Sequence, residues 1–138
     1  MGGELLLDTG GLVSLLDRRQ RRHAEFVRFF EAWQGLVVST EAVLTEATHL
    51  LGEIPGGRRA CLDFFLAEAA VLAPVTRAAL RRARELLEQY ADLPMDYADA
   101  TLVVLAEELE TDLVLTTDRR DFTVYRLQRR RPFRIVPG

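Results

Sequence analysis

Four acidic side chains stand where ordinary patterning calls for apolar residues or turns. Asp8 follows directly on Leu5-Leu6-Leu7, and Asp118 follows Leu113-Val114-Leu115-Thr116-Thr117. Such short apolar runs suit strands buried on both faces of a parallel sheet. Ligands of such sheets gather at the carboxyl ends of the strands, where both aspartates lie. Glu46 and Asp99 are placed differently. Over residues 40–51 the apolar stripe is Val43, Leu44, Ala47, Leu50 and Leu51, and Glu46 points along it at helical spacing. Over residues 95–109 the stripe is Met95, Ala98, Leu102, Leu105, Ala106 and Leu109, with Asp99 at its edge. Glu41 shares a polar face with Thr45 and Thr48, and Asp96 lies off the stripe beside Ala100 and Val103.

A polar group facing a core without a partner costs about 2–7 kcal/mol. A buried arginine offsets that cost for any one of these acids. Four carboxylates converging on one sheet edge also repel one another. A shared divalent cation relieves both problems. Mg2+ and Mn2+ take hard oxygen ligands, retain several waters, and are commonly held by a few carboxylates together with substrate phosphates. The chemistry such a centre supports is metal-assisted hydrolysis of a phosphodiester.

The elements that must position these groups alternate strand and helix, which predicts an α/β fold with a mainly parallel central sheet flanked by helices. Strands are expected at residues 4–7, 36–38, 70–72, 113–116 and 133–136. Helical periods run over residues 9–16, 23–33, 40–51, 58–69, 76–90 and 95–109, with a turn or short helix at 119–122. Ser39 or Thr40 caps the third helix, Thr76 introduces the fifth, and Pro55-Gly56-Gly57 interrupts the chain. No repeat or linker divides the sequence, so a single domain over residues 1–138 is expected.

Composition narrows the function classes. Hydrophobic residues make up 49% of the chain, enough for a core and too many for a disordered segment. No apolar run reaches the length of a membrane span, and the N-terminus lacks a secretory pattern, so a cytoplasmic protein without membrane contact is expected. Cys61 is the one cysteine and reads as a small core residue. His23, at the polar side of a helix start, reads as solvated. His49, near a helix end, suits the helix dipole. The net charge of −3 argues against simple nucleic-acid binding. All 18 basic residues are arginine, however, and they cluster at 18–22, 81–84 and 126–134. Planar guanidinium groups suit phosphate recognition, though solvation and surface ion pairing account for such clusters equally well.

Taken in order, these segments resemble the PIN-domain ribonucleases. Leu5-Leu6-Leu7-Asp8-Thr9-Gly10-Gly11-Leu12 is similar to that family's opening strand and Asp-Thr-Ser/Gly-Ala-Leu pattern. Glu46, in the strand-then-helix segment from Val37 to Ala47, matches its acidic helix. Asp96-Tyr97-Ala98-Asp99-Ala100-Thr101-Leu102 resembles its Asp-Ala-Leu helix, and Leu115-Thr116-Thr117-Asp118-Arg119-Arg120-Asp121-Phe122 its Thr-x-Asp/Asn-x-x-Asp-Phe segment. The likeness spans nearly the whole chain, and its length is most like the VapC-type toxins of bacterial toxin–antitoxin pairs. One departure is Gly10-Gly11, where the family often carries Ser/Asn-Ala.

The resemblance implies a PIN-like fold and an endoribonuclease that uses Mg2+ or Mn2+. Asp8, Glu46, Asp99 and Asp118 would be the catalytic and metal-holding acids. Asp121 would be an auxiliary acid or cap, and Asp96 a second candidate in the Asp99 segment. Thr9 and Thr116 or Thr117 would orient carboxylates. It also implies an RNA substrate (tRNA, rRNA or mRNA), a homodimer, and a cognate antitoxin that blocks the acidic groove. The alternative is a PIN-like module that binds RNA or protein without useful nuclease activity. Asp8-Thr9-Gly10 also resembles the aspartic-protease motif, but those folds are nearly all β. A phosphate-accepting receiver domain needs a lysine late in the sheet, and the chain has none.

Overall fold

A computed structural model describes residues 3–138. Five parallel strands form the central sheet: β1 (Leu5–Leu7), β2 (Val37–Thr40), β3 (Val71–Ala73), β4 (Leu113–Leu115) and β7 (Arg134–Val136), in the order β3-β2-β1-β4-β7. Leu6 stands opposite both Val38 and Val114, so β1 is the hub of the sheet. Leu5, Leu6 and Leu7 are all fully buried. Successive strand residues face opposite sides, so both faces of β1 are covered. Each leucine withdrawn from water contributes about 1.5–3 kcal/mol.

The covering helices are α1 (Thr9–Leu16), α2 (His23–Ala32), α3 (Glu41–Leu51), α4 (Gly57–Leu66), α5 (Arg77–Gln89) and α6 (Tyr97–Leu109), with a short α7 (Arg119–Phe122) after β4. α1 packs on α2, α3 and α4, while α6 packs on α3, α5 and β2. Thr40 caps α3 by accepting from the Val43 amide, and Thr76 caps α5 by accepting from the Ala79 amide. A bidentate bond from Arg82 to Glu107, at 2.8 and 2.9 Å, ties α5 to α6.

Several expectations are corrected. α6 is no one-sided helix: every residue from Ala98 to Ala106 is buried, because α3, α5 and β2 all pack against it. It begins at Tyr97, and Asp96 caps it by accepting from the Asp99 amide at 2.8 Å. Leu50, placed on the core stripe of α3 by periodicity, is 48% exposed. The third strand lies one residue later than expected. His23 is not freely solvated; its Nδ1 lies 2.7 Å from the Ser14 carbonyl oxygen. A small antiparallel pair, β5 (Arg126–Leu127) and β6 (Arg131–Pro132), was unforeseen. Its turn places Gln128 and Arg129 at positive φ. Cys61 is buried as expected, and burial pushes its thiol up to about 11.

Candidate active site

The carboxyl ends of β1 and β4 lie side by side, since Leu7 pairs with Leu115. Asp8 and Thr116 are the next residues of each strand. The Thr116 hydroxyl donates to Asp8 Oδ2 at 2.6 Å and accepts from the Asp118 amide at 2.9 Å. One buried threonine therefore holds both strand-end acids. Asp8 occupies the N-cap position of α1 but makes no side-chain capping bond; its carboxylate is held by Thr116 instead. Asp118 caps α7 by accepting from the Asp121 amide at 3.0 Å.

The close approach of α1 to β4 depends on glycine. A Cβ on Gly11 would overlap the Leu115 carbonyl, and one on Gly10 would meet the Thr117 side chain. The departure at Gly10-Gly11 thus has a local cause. Thr117 is exposed and, among the described residues, makes no hydrogen bond to a carboxylate, so of the two threonines Thr116 is the one that orients an acid.

The two helices bring the remaining acids. Thr9 donates to Glu46 Oε1 at 2.7 Å, linking α1 to α3. Asp99, in the first turn of α6, is 7% exposed and accepts from the Tyr125 hydroxyl at 2.7 Å. The positive end of the helix dipole favours its charge there. One carboxylate oxygen from each of Asp99, Asp118 and Asp121 lies within 4.8 Å of the others. Asp121, expected only as an auxiliary acid or cap, is a full member of this closest trio. Asp8 and Glu46 adjoin it, and Asp96 stands at the exposed rim.

Electrostatics report the crowding. Burial pushes Asp8 up to about 6, against the Thr116 hydrogen bond, and the charges of Asp118 and Glu46 add to the rise. Asp99 is pushed up to about 8 by burial and then by the charge of Asp8, with the Tyr125 hydrogen bond opposing. Asp121 is raised by burial and by Asp118. Among the described residues, no arginine or histidine forms an ion pair with Asp8, Glu46, Asp96, Asp99, Asp118 or Asp121. Arg120 lies near enough to temper Asp121, but among the described residues no arginine pairs with the cluster as a structural ion pair would require.

Tyr125 is the site residue that sequence reasoning overlooked. It is fully buried and packs edge-on against Tyr90 and Phe122 at 5.2 Å. Tyr125 sits in the irregular stretch Phe122-Thr123-Val124-Tyr125-Arg126-Leu127, which has no sustained helical or strand period, so nothing in the sequence marked it.

Comparisons agree with this architecture. The PIN domain family model matches residues 5–127. Ribonuclease VapC26 of Mycobacterium tuberculosis is 27% identical over 135 residues, covering 96% of this chain and all of that one. Among solved structures, Mycobacterium tuberculosis VapC20, described as a sarcin-ricin loop cleaving toxin, superimposes with a TM-score of 0.78. The match covers 84% of this chain and 91% of that one at 19% identity. A toxin-antitoxin complex from Klebsiella pneumoniae matches with a TM-score of 0.66 at 18% identity, covering 87% of this chain and 91% of that one. VapBC2 from Rickettsia felis, bound to a DNA fragment from its promoter, matches at 0.64 and 13% identity, covering 96% of each chain. The chain belongs to the PIN-domain family, and within it the resemblance is to the VapC-type ribonucleases.

Proposed function

We propose that this protein is a Mg2+- or Mn2+-dependent endoribonuclease and the toxin of a toxin–antitoxin pair. The observation that carries the reading is the gathering of Asp8, Glu46, Asp99, Asp118 and Asp121 at one sheet edge, with no ion pair to any of them among the described residues. An all-oxygen donor set fits a hard dication. One oxygen from each of Asp99, Asp118 and Asp121 lies within 4.8 Å of the others, so the three could share one such ion. Such an ion, when bound, supplies Lewis acidity to the scissile phosphate and activates water.

The side chains divide the remaining work. Asp8, Asp99, Asp118 and Asp121 would hold the ion, with Thr116 orienting Asp8 and Tyr125 orienting Asp99. Glu46 is only half-buried, is steadied by Thr9, and lines the open groove. It is placed to accept the proton of the attacking water. Hydrolysis breaks the P–O3′ bond: the water oxygen joins phosphorus and a proton passes to the 3′ oxygen. The names of VapC26 and VapC20 support RNA as substrate, and the Klebsiella and Rickettsia complexes support a cognate antitoxin. A homodimer is part of the same proposal. Among the described residues no helix is long and apolar enough to cross a membrane.

The test is cleavage of labelled RNA with Mg2+, with Mn2+ and with EDTA, beside Asp8→Asn. Cleavage is expected with either metal and absent with EDTA or in the variant. If Asp8→Asn cleaves as fast as wild type, the mechanism is wrong.

A further inference from the structure

The groove that reaches the acidic cluster at Glu46, about 590 Å3, is also lined by Glu41, Asp96 and Tyr97, with apolar walls that include Ala73 and Val75. Tyr97 also forms a wall of a second cavity of about 400 Å3, whose other walls include Arg77, Leu80, Arg81 and Arg84 of α5. The two depressions therefore meet at one aromatic ring, which is 42% exposed. Arg77, Arg81 and Arg84 recur at helical spacing on one face of α5, rising about 6 and 4.5 Å between neighbours. All three are exposed, and none makes an ion pair among the described residues. Arg82, on another face, is fully engaged by Glu85 and Glu107. Glu88 closes the arginine strip at its far end.

The other arginine clusters are partly spent. Arg19 is held by Asp17 and Arg22 by Glu25, while Asp112 holds both Arg131 and Arg134. What sets Arg77, Arg81 and Arg84 apart is that, without an ion pair among the described residues, they share the Tyr97 wall with the acidic groove. A positive strip beside a negative pocket, joined by an exposed ring, matches the needs of single-stranded nucleic acid. Phosphates follow the arginines, and a base stacks on the ring.

We propose that Tyr97 and the Arg77, Arg81 and Arg84 face of α5 form a track that guides single-stranded RNA into the acidic groove. The inference rests on the ribonuclease reading above and extends it to the form of the substrate. Tyr97 takes an unstacked base at the mouth of the groove. The arginines hold phosphates of the flanking strand.

The probe is a short fluorescein-labelled oligouridine. Its binding is measured by anisotropy in EDTA across about 50–200 mM salt. Cleavage of the same RNA in Mn2+ gives KM and kcat. The Arg77→Ala/Arg81→Ala/Arg84→Ala variant should bind at least tenfold more weakly, with the log–log salt slope reduced by about 2, near 0.7 per lost contact. KM should rise with kcat little changed. Tyr97→Ala should weaken binding about tenfold, and Tyr97→Phe, which keeps the ring, should restore it. Wild-type affinity, slope and KM in the triple variant would overturn the track while leaving the nuclease reading intact. A triple variant altered in molecular mass by light scattering, but not in RNA affinity, also overturns it and assigns the face to contacts between copies. A wild-type chain that neither binds nor cleaves RNA removes the underlying reading as well.

Discussion

The Tyr125 hydroxyl reaches Asp99 Oδ2 at 2.7 Å from a ring that is itself fully buried. This bond occupies one oxygen of a carboxylate whose other oxygen is left for the cluster. Tyr125→Phe keeps the ring between Tyr90 and Phe122 and removes only the donor. Mn2+ affinity should fall by about tenfold or more, the usual cost of losing a partner that orients a ligand. Calorimetric titration of the metal-free protein checks this, with the melting curve as a control for folding.

Thr116 bridges two acids at once, donating to Asp8 and accepting from the Asp118 amide. Thr116→Val removes both bonds, while Thr116→Ser retains them. RNA cleavage should drop about 10–100-fold in the valine variant and stay near wild type in the serine variant. Similar activity in the two would show that the hydroxyl does not orient the site.

Stability of the metal-free protein should depend on pH in the reverse of the usual carboxylate sense. Asp8 and Asp99 titrate near 6 and near 8 in the fold, above their ordinary value of 3.8. Their folded forms bind protons more tightly than their unfolded forms. Their contribution is therefore complete at the acid end and is lost as pH rises through 6 and then 8. Between pH 5 and 9 in EDTA the melting temperature should fall. Added Mg2+ should oppose the fall by binding the folded state. Asp99→Asn should melt at a higher temperature than wild type at pH 8 in EDTA, while cleaving nothing. A flat melting profile in EDTA would refute the crowding.

Two adjacent glycines should differ in tolerance. A Cβ at Gly11 meets backbone, the Leu115 carbonyl, which cannot swing aside. Gly11→Ala should cost about 1–3 kcal/mol or more in a denaturant titration, as overpacking does. The nearest obstacle at Gly10 is the tip of the Thr117 side chain. Gly10→Ala should cost less, and Thr117→Ala should recover part of the loss.

How far the molecule was legible follows from where its information lies. β1 and β4 were readable because strands buried on both faces appear as unbroken apolar runs, and Asp8 and Asp118 stood out at their ends. Asp99 emerged from helical spacing, although α6 proved buried all round and its stripe had no polar back. Glu46 was found on a stripe that included Leu50, which the fold exposes. β5 and β6 escaped because two-residue strands rich in arginine have no period to detect. Tyr125 escaped because its importance is a single hydrogen bond between segments 26 residues apart. The arginine clusters were visible, but which guanidinium groups are free depends on tertiary ion pairs such as Arg82 with Glu107.

The placement of β1 at the hub of the sheet has a consequence for synthesis on the ribosome. Asp8 is made well before its orienting partner Thr116, which lies 108 positions later. A nascent chain can collapse β1 onto β2, but the acid at its end waits without β4, Asp118 or Asp121. Whatever chemistry the finished cluster performs, an unfinished chain lacks the parts to perform it, and truncated products are disarmed by topology.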